Sequence, residues 1–155
     1  MFFPIRTLLC IVILALLAGP LVARDDRIAG PVAADILRVV DGDTLLVEAM
    51  PWPQQRVEVY VRLRGIDTPE LNASCPALRA RAEAARQALI DMAGETGTVW
   101  LRNIGGDKYF GRIVADVTFA DGRDPAQDLQ AAGLAVAYHG GRKPAIDCAA
   151  TAALE

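Results

Sequence analysis

Arg56-Val57-Glu58-Val59-Tyr60-Val61-Arg62-Leu63-Arg64 alternates without a break, with Val57, Val59, Val61 and Leu63 on one face and Arg56, Glu58, Tyr60, Arg62 and Arg64 on the other. Successive side chains of a strand point to opposite faces, so this stretch predicts a strand with one apolar face in a core. Arg62 then stands opposite that core. Two acidic clusters bracket the strand, Asp41-Gly42-Asp43-Thr44 before it and Ile66-Asp67-Thr68-Pro69-Glu70 after it.

The same reading extends outward. Ile36 to Val40 predicts a first strand, broken by Asp41-Gly42, and Asp43 to Ala49 a second, with Met50-Pro51-Trp52-Pro53 as a loop. Pro76 to Gly94 repeats Leu78, Ala82, Ala85, Leu89 and Met92 at helical spacing. Thr98 to Asn103 and Gly111 to Phe119 read as further strands, the latter turning Ile113, Ala115, Val117 and Phe119 inward and Arg112 outward. Asp124 and Pro125 suit the start of a second helix that Gly133 ends, and a short extended piece runs from Leu134 to Tyr138. Three strands, a helix, two strands and a helix predict an α+β, mainly β fold. A five-stranded OB-fold barrel packed by two to three helices satisfies that order.

Residues 1–23 read as a separate object. Arg6 is the only charge before an apolar run from Leu8 to Ala18, and small residues with Pro20 lead to the polar Arg24-Asp25-Asp26. This is the pattern of a secretory signal peptide, which predicts a periplasmic or secreted protein. An uncleaved membrane anchor is the alternative. Residues 24–34 read as a linker around Gly30-Pro31, 35–143 as the folded domain and 144–155 as a C-terminal tail. Loss of residues 1–23 removes Cys10 and leaves Cys75 and Cys148, which an oxidising compartment invites to form a disulfide. Two free thiols are the other reading.

The net charge of −3 counts against a general nucleic-acid binder, which carries a basic face. It leaves room for a locally positive cleft, because the basic residues are nearly all Arg, the side chain shaped for forked contacts with phosphate oxygens. Asp41-Gly42 between apolar runs is a turn signal, and Pro69 forbids a strand from continuing, so either acidic cluster alone reads as a bend. Together they offer hard oxygen ligands for Ca²⁺ or Mg²⁺, with Glu70 spare to address a water. Arg62 and Arg112 each sit on the polar face of a strand otherwise committed to the core. Such cations suit the charge that builds on a phosphate under attack. The single histidine, His139, excludes a two-histidine mechanism. The single serine, Ser74, lacks a G-x-S-x-G setting.

Val40-Asp41-Gly42-Asp43-Thr44, then Arg62-Leu63-Arg64-Gly65-Ile66-Asp67-Thr68-Pro69-Glu70, then Asp107-Lys108-Tyr109-Phe110-Gly111-Arg112 resemble the staphylococcal nuclease (thermonuclease) family in order and spacing. Gly133-Leu134-Ala135 before Tyr138 fits as well. The resemblance implies an OB-type barrel in which Asp43, Asp67 and the main-chain carbonyl of Thr68 hold Ca²⁺. It implies that Glu70 activates or orients the attacking water and that Arg62 and Arg112 hold the scissile phosphate. Lys108, Tyr109 and Tyr138 match residues that contact the nucleotide. The implied reaction is Ca²⁺-dependent hydrolysis of DNA and RNA, with single strands preferred and 3′-phosphate ends left, by a monomer. Phe110 is one residue more than the family pattern has between Tyr and Gly. The rival readings are a non-catalytic OB module that binds oligonucleotides and a two-carboxylate glycosidase using Asp43 and Glu70.

Overall fold

The computed structural model describes residues 26–94, 97–141 and 148. The expected signal peptide or anchor, 1–23, lies outside the described residues, as does most of the tail. The elements are β1 (Val32–Asp41), β2 (Thr44–Met50), β3 (Val57–Leu63), β4 (Ile66–Asp67), α1 (Pro76–Ala93), β5 (Thr98–Gly106), β6 (Arg112–Phe119), α2 (Pro125–Ala131) and β7 (Val136–Ala137). Five strands close a barrel in the order β1-β2-β3-β6-β5, and β4 pairs with β7 in a separate two-stranded ladder. The chain is thus mainly β with two helices among the described residues, the expected OB-type architecture.

The alternation of β3 holds in its second half, while Val57, expected on the core face, is exposed near the open end of the strand and Val59 is half-buried. Val61 and Leu63 are buried and join Leu45, Val47, Val99 and Leu101 in the barrel interior. Closure comes from the parallel pairing of β3 with β6, in which Tyr60 faces Arg112 and Arg62 faces Val114. The other barrel pairs are antiparallel. Closing the barrel leaves none of its five strands as an open edge.

The first strand starts earlier than its sequence signals suggest. Val32 and Ala34 fall in the stretch read as linker, yet both are buried and pair with β5, Val32 opposite Leu101. Ile28 continues the contact through an isolated bridge to Ile104. Gly30-Pro31 therefore bends the chain without ending its pairing. In the other direction, β5 runs past Asn103 to Gly106 through a register shift between Arg102 and Gly105.

Helix α1 buries Leu78, Ala82, Ala85 and Leu89 as the spacing predicts, with Ala93 rather than Met92 completing the stripe. Asp124 caps α2 by accepting from the amides of Ala126 and Gln127, and Pro125 occupies the first turn. The bridge expected between Cys75 and Cys148 is not formed. The structure does not join Cys75 and Cys148 covalently. They meet in a hydrogen bond, which holds the Cys75 thiol below its ordinary value. A covalent bridge needs the sulfurs about 2 Å apart, closer than a hydrogen-bonded pair comes.

One small residue joins α1 to the β1–β2 turn. A Cβ on Gly42 would stand 2.7 Å from the Ala85 Cβ and 2.9 Å from the Thr68 Oγ1. Both neighbours are buried, so neither has room to yield. Gly42→Ala is expected to lower stability by about 1–3 kcal/mol through overpacking, read as a fall in urea midpoint at unchanged m-value. An unchanged midpoint would show that helix and turn are not in contact.

Candidate active site

The site grows from the β2–β3 register. Thr44 pairs with Arg62, which sets Asp43 at the start of β2 beside the polar face of β3. Past Leu63 the chain turns at Gly65 (φ +85°), a conformation that favours glycine, and enters β4. The ladder of Asp67 with Val136 then fixes the second carboxylate. Asp43 is 3 % exposed and Asp67 7 %.

Arg62 joins the two. Its Nη1 donates to Asp43 Oδ1 and its Nη2 to Asp67 Oδ1, each at 2.7 Å, and Nη2 also reaches the Ile66 carbonyl at 3.2 Å. The Thr68 amide donates to Asp43 Oδ2 at 3.1 Å, and the Thr44 hydroxyl donates to Oδ1 at 3.0 Å. Burial alone would make the guanidinium easier to deprotonate. The neighbouring carboxylates outweigh that and push its pKa further up, so it stays charged.

The charge in this pocket does not balance. Asp43 and Asp67 bring two negatives and Arg62 returns one positive. Burial, the largest influence, pushes the Asp43 carboxyl up to about 6 against the pull of Arg62. A buried set of hard oxygens with a deficit of positive charge fits a divalent cation. Asp43, Asp67 and the main-chain carbonyl of Thr68 would hold it. No cluster of three or more His, Cys, Asp and Glu side chains suited to a metal occurs among the described residues. Further ligands would therefore be main-chain oxygens or water.

The rest of the predicted set surrounds a cleft of about 990 Å³ lined by Arg62, Glu70, Lys108, Tyr109, Arg112 and Tyr138, among others. Glu70 is exposed past the end of β4, where its carbonyl accepts from the Ala73 amide at 3.0 Å. Arg112 opens β6, and its guanidinium lies 4.7 Å from the centre of the Tyr109 ring. The Lys108 ammonium is 4.9 Å from the same ring. Tyr138 arrives with β7. Its amide donates to the Gly65 carbonyl at 2.8 Å, and its ring centre is 5.8 Å from the Arg62 guanidinium carbon. His139, the single histidine, is exposed and lines this cleft. Phe110, one residue more than the resemblance leads one to expect, is fully exposed at the β5–β6 tip.

Two contributors escaped the sequence reading. Asp107 accepts from Arg112 Nε and so aims that guanidinium. Burial pushes its carboxyl up, but the hydrogen bonds from Arg112 and the Lys108 amide outweigh this and hold it low. An acid five residues before an arginine across a tight hairpin was the available signal. Asp41 accepts from the Asp43 amide at 3.1 Å and also lines the cleft. Its adjacency to Gly42 made it read as turn chemistry alone.

The family model for staphylococcal nuclease homologues matches residues 60–153. The chain belongs to that family. None of the curated proteins matches it. Nucleases and nucleic-acid binders make up this family, which is metal-dependent in general. The matched segment of this family member includes Arg62, Asp67, Thr68, Glu70, Lys108, Tyr109, Arg112 and Tyr138, while Asp43 precedes it. The barrel register brings Asp43 to the matched residues.

The raised Asp43 carboxyl has a measurable consequence. Because its folded value of about 6 exceeds the unfolded 3.8, its contribution is fully present below pH 3.8 and is lost as pH rises through 6. In chelator, acidification from pH 7 to 5 should therefore stabilise the fold through this group, by at most about 3 kcal/mol over the full titration. Urea unfolding at both pH values measures the increment, and Asp43→Asn should remove it. An increment equal in both proteins assigns it elsewhere.

Proposed function

We propose that this chain is an exported, Ca²⁺-dependent nuclease that hydrolyses phosphodiester bonds of DNA and RNA, preferring single strands and acting as a monomer. One observation carries the reading: Arg62, held on two buried carboxylates, shares a cleft with Glu70 and Arg112. Export, to the periplasm or the medium, is supported by the charge and hydropathy pattern of residues 1–23.

The chemistry follows from where charge must go. Arg112, steadied by Asp107, donates to non-bridging oxygens of the scissile phosphate, and Arg62 donates from the carboxylate side. Both guanidiniums act as preorganised donors for the negative charge that develops on those oxygens. Asp43, Asp67 and the Thr68 carbonyl would hold Ca²⁺, which would supply further positive charge as a Lewis acid. Glu70 accepts a proton from the attacking water as the new P–O bond forms in line with the P–O5′ bond that breaks. The departing oxygen takes up a proton and leaves a 5′-hydroxyl, so the other product ends in a 3′-phosphate. Tyr138 and Tyr109 border the nucleotide on either side of the phosphate, and Lys108 adds charge at the rim. A lone two-carboxylate glycosidase would have no use for the paired arginines.

The deciding experiment is digestion of labelled single-stranded DNA and RNA with Ca²⁺ and with chelator. Cleavage with Ca²⁺ alone is expected, and Arg112→Ala or Glu70→Gln should lower turnover by about 100-fold or more. Arg62→Ala is a less clean variant because it also strands two buried carboxylates. Tight binding without cleavage across several divalent ions would replace this reading with an oligonucleotide-binding module.

A further inference from the structure

Gly105 and Gly106 end β5 as a bare stretch of cleft wall, and two arginines outside the predicted set converge there. A Cβ on Gly105 would lie 3.6 Å from the Arg27 Cγ and 3.9 Å from the Arg64 Nη2, so both side chains meet at one residue. Arg27, Arg64, Gly105 and Gly106 line the same cleft as Arg62 and Arg112. Arg64 follows Arg62 by two residues on the polar face of β3, about 6.6 Å further along at strand rise.

Both arginines are held in position by the barrel. Arg64 Nη2 donates to the carbonyls of Asn103 and Val114, and its Nε lies 3.1 Å from Asp116 Oδ1. That Nε makes no hydrogen bond, and the side chain is one-third exposed. Arg27 is exposed and is delivered by the Ile28–Ile104 bridge, closed by hydrogen bonds of 2.9 and 2.8 Å. Gly30 makes the approach feasible, since a Cβ there would stand 2.4 Å from the Leu101 carbonyl oxygen. Asp26 beside Arg27 and Asp116 beside Arg64 offset part of the charge. Arg27 precedes the segment that matches the family.

We propose that Arg27 and Arg64, meeting at the Gly105–Gly106 wall, form a second phosphate subsite that holds a backbone phosphate adjacent to the scissile one. Glycine suits this wall because no side chain keeps phosphate oxygens from the guanidiniums. The subsite rests on the nuclease reading and deepens it. It makes the enzyme favour a polynucleotide over a single phosphodiester, and it gives an acidic protein a local grip on its substrate.

The test is anisotropy of a labelled oligothymidylate about ten nucleotides long, over a salt series with Ca²⁺, using the full chain in the Glu70→Gln background to suppress turnover. Arg27→Gln should weaken binding about 3–10-fold and reduce the slope of log K against log salt by about 0.7–1, the loss of one phosphate contact. Arg27→Lys should restore the slope. Gly105→Asp, which sets a carboxylate between the two arginines, should weaken binding more than Gly105→Ala. An unchanged salt slope in Arg27→Gln overturns the subsite, whatever the affinity does, because loss of packing alone leaves the slope intact. So does equal weakening by the two Gly105 variants. If the parent protein binds no oligonucleotide, the nuclease reading falls and the subsite with it. If the parent binds and only the variants disappoint, the subsite alone falls.

Discussion

The guanidinium of Arg62 ties together two carboxylates that the chain reaches from opposite directions. Asp43 comes at the start of β2 and Asp67 after the turn that ends β3, and both are buried. Neither carboxylate is tolerable there without a cation, because desolvation of a charged group costs several kcal/mol. Arg62 supplies that charge only because the β2–β3 register brings it opposite Thr44. Everything else about the cleft is arranged around this triad: the β4–β7 ladder steadies Asp67, the Thr68 amide steadies Asp43, and Tyr138 is carried to Arg62 by the same ladder. Two buried carboxylates share one guanidinium there, and that concentration of hard oxygens links the architecture to metal binding.

Much of this was legible in the sequence because it rests on period and spacing. The alternation through Arg56–Arg64 encodes a strand, its buried face and the outward aim of Arg62 together. The same holds for β6, where Ala115, Val117 and Phe119 are buried and Arg112 is turned to the cleft side. Helix α1 was readable from its apolar stripe, and α2 from the Asp124-Pro125 start, because capping is a local interaction between neighbouring residues. Asp43, Asp67 and Glu70 were singled out by residue type and by distance from Arg62 along the chain. The three-dimensional convergence of those residues follows from closure of the barrel.

What stayed hidden depends on partners distant in sequence. Val32 and Ala34 look like linker because Gly30-Pro31 precedes them, and only β5 across the barrel makes them strand. Gly42 looks like half of a turn signal, yet its lack of a side chain is required by Ala85 and Thr68, which no local pattern reveals. Asp107 carried no signal of its own beyond its place in a motif, and its role is set by a hairpin that folds it onto Arg112. The cysteine pair failed for a related reason. Parity and compartment argue that two thiols can meet, and they do, but neither argument determines whether the bond forms.

The parallel ladder between β3 and β6 counts residues from within the barrel, Tyr60 against Arg112 and Arg62 against Val114. A one-residue slip in either strand would invert every side chain and bury an arginine in the interior. The hairpin tip between β5 and β6 lies outside that count, and the fully exposed Phe110 sits there. A protein engineer seeking to attach a small probe beside the cleft has a place at Phe110, whose side chain is fully exposed at this tip.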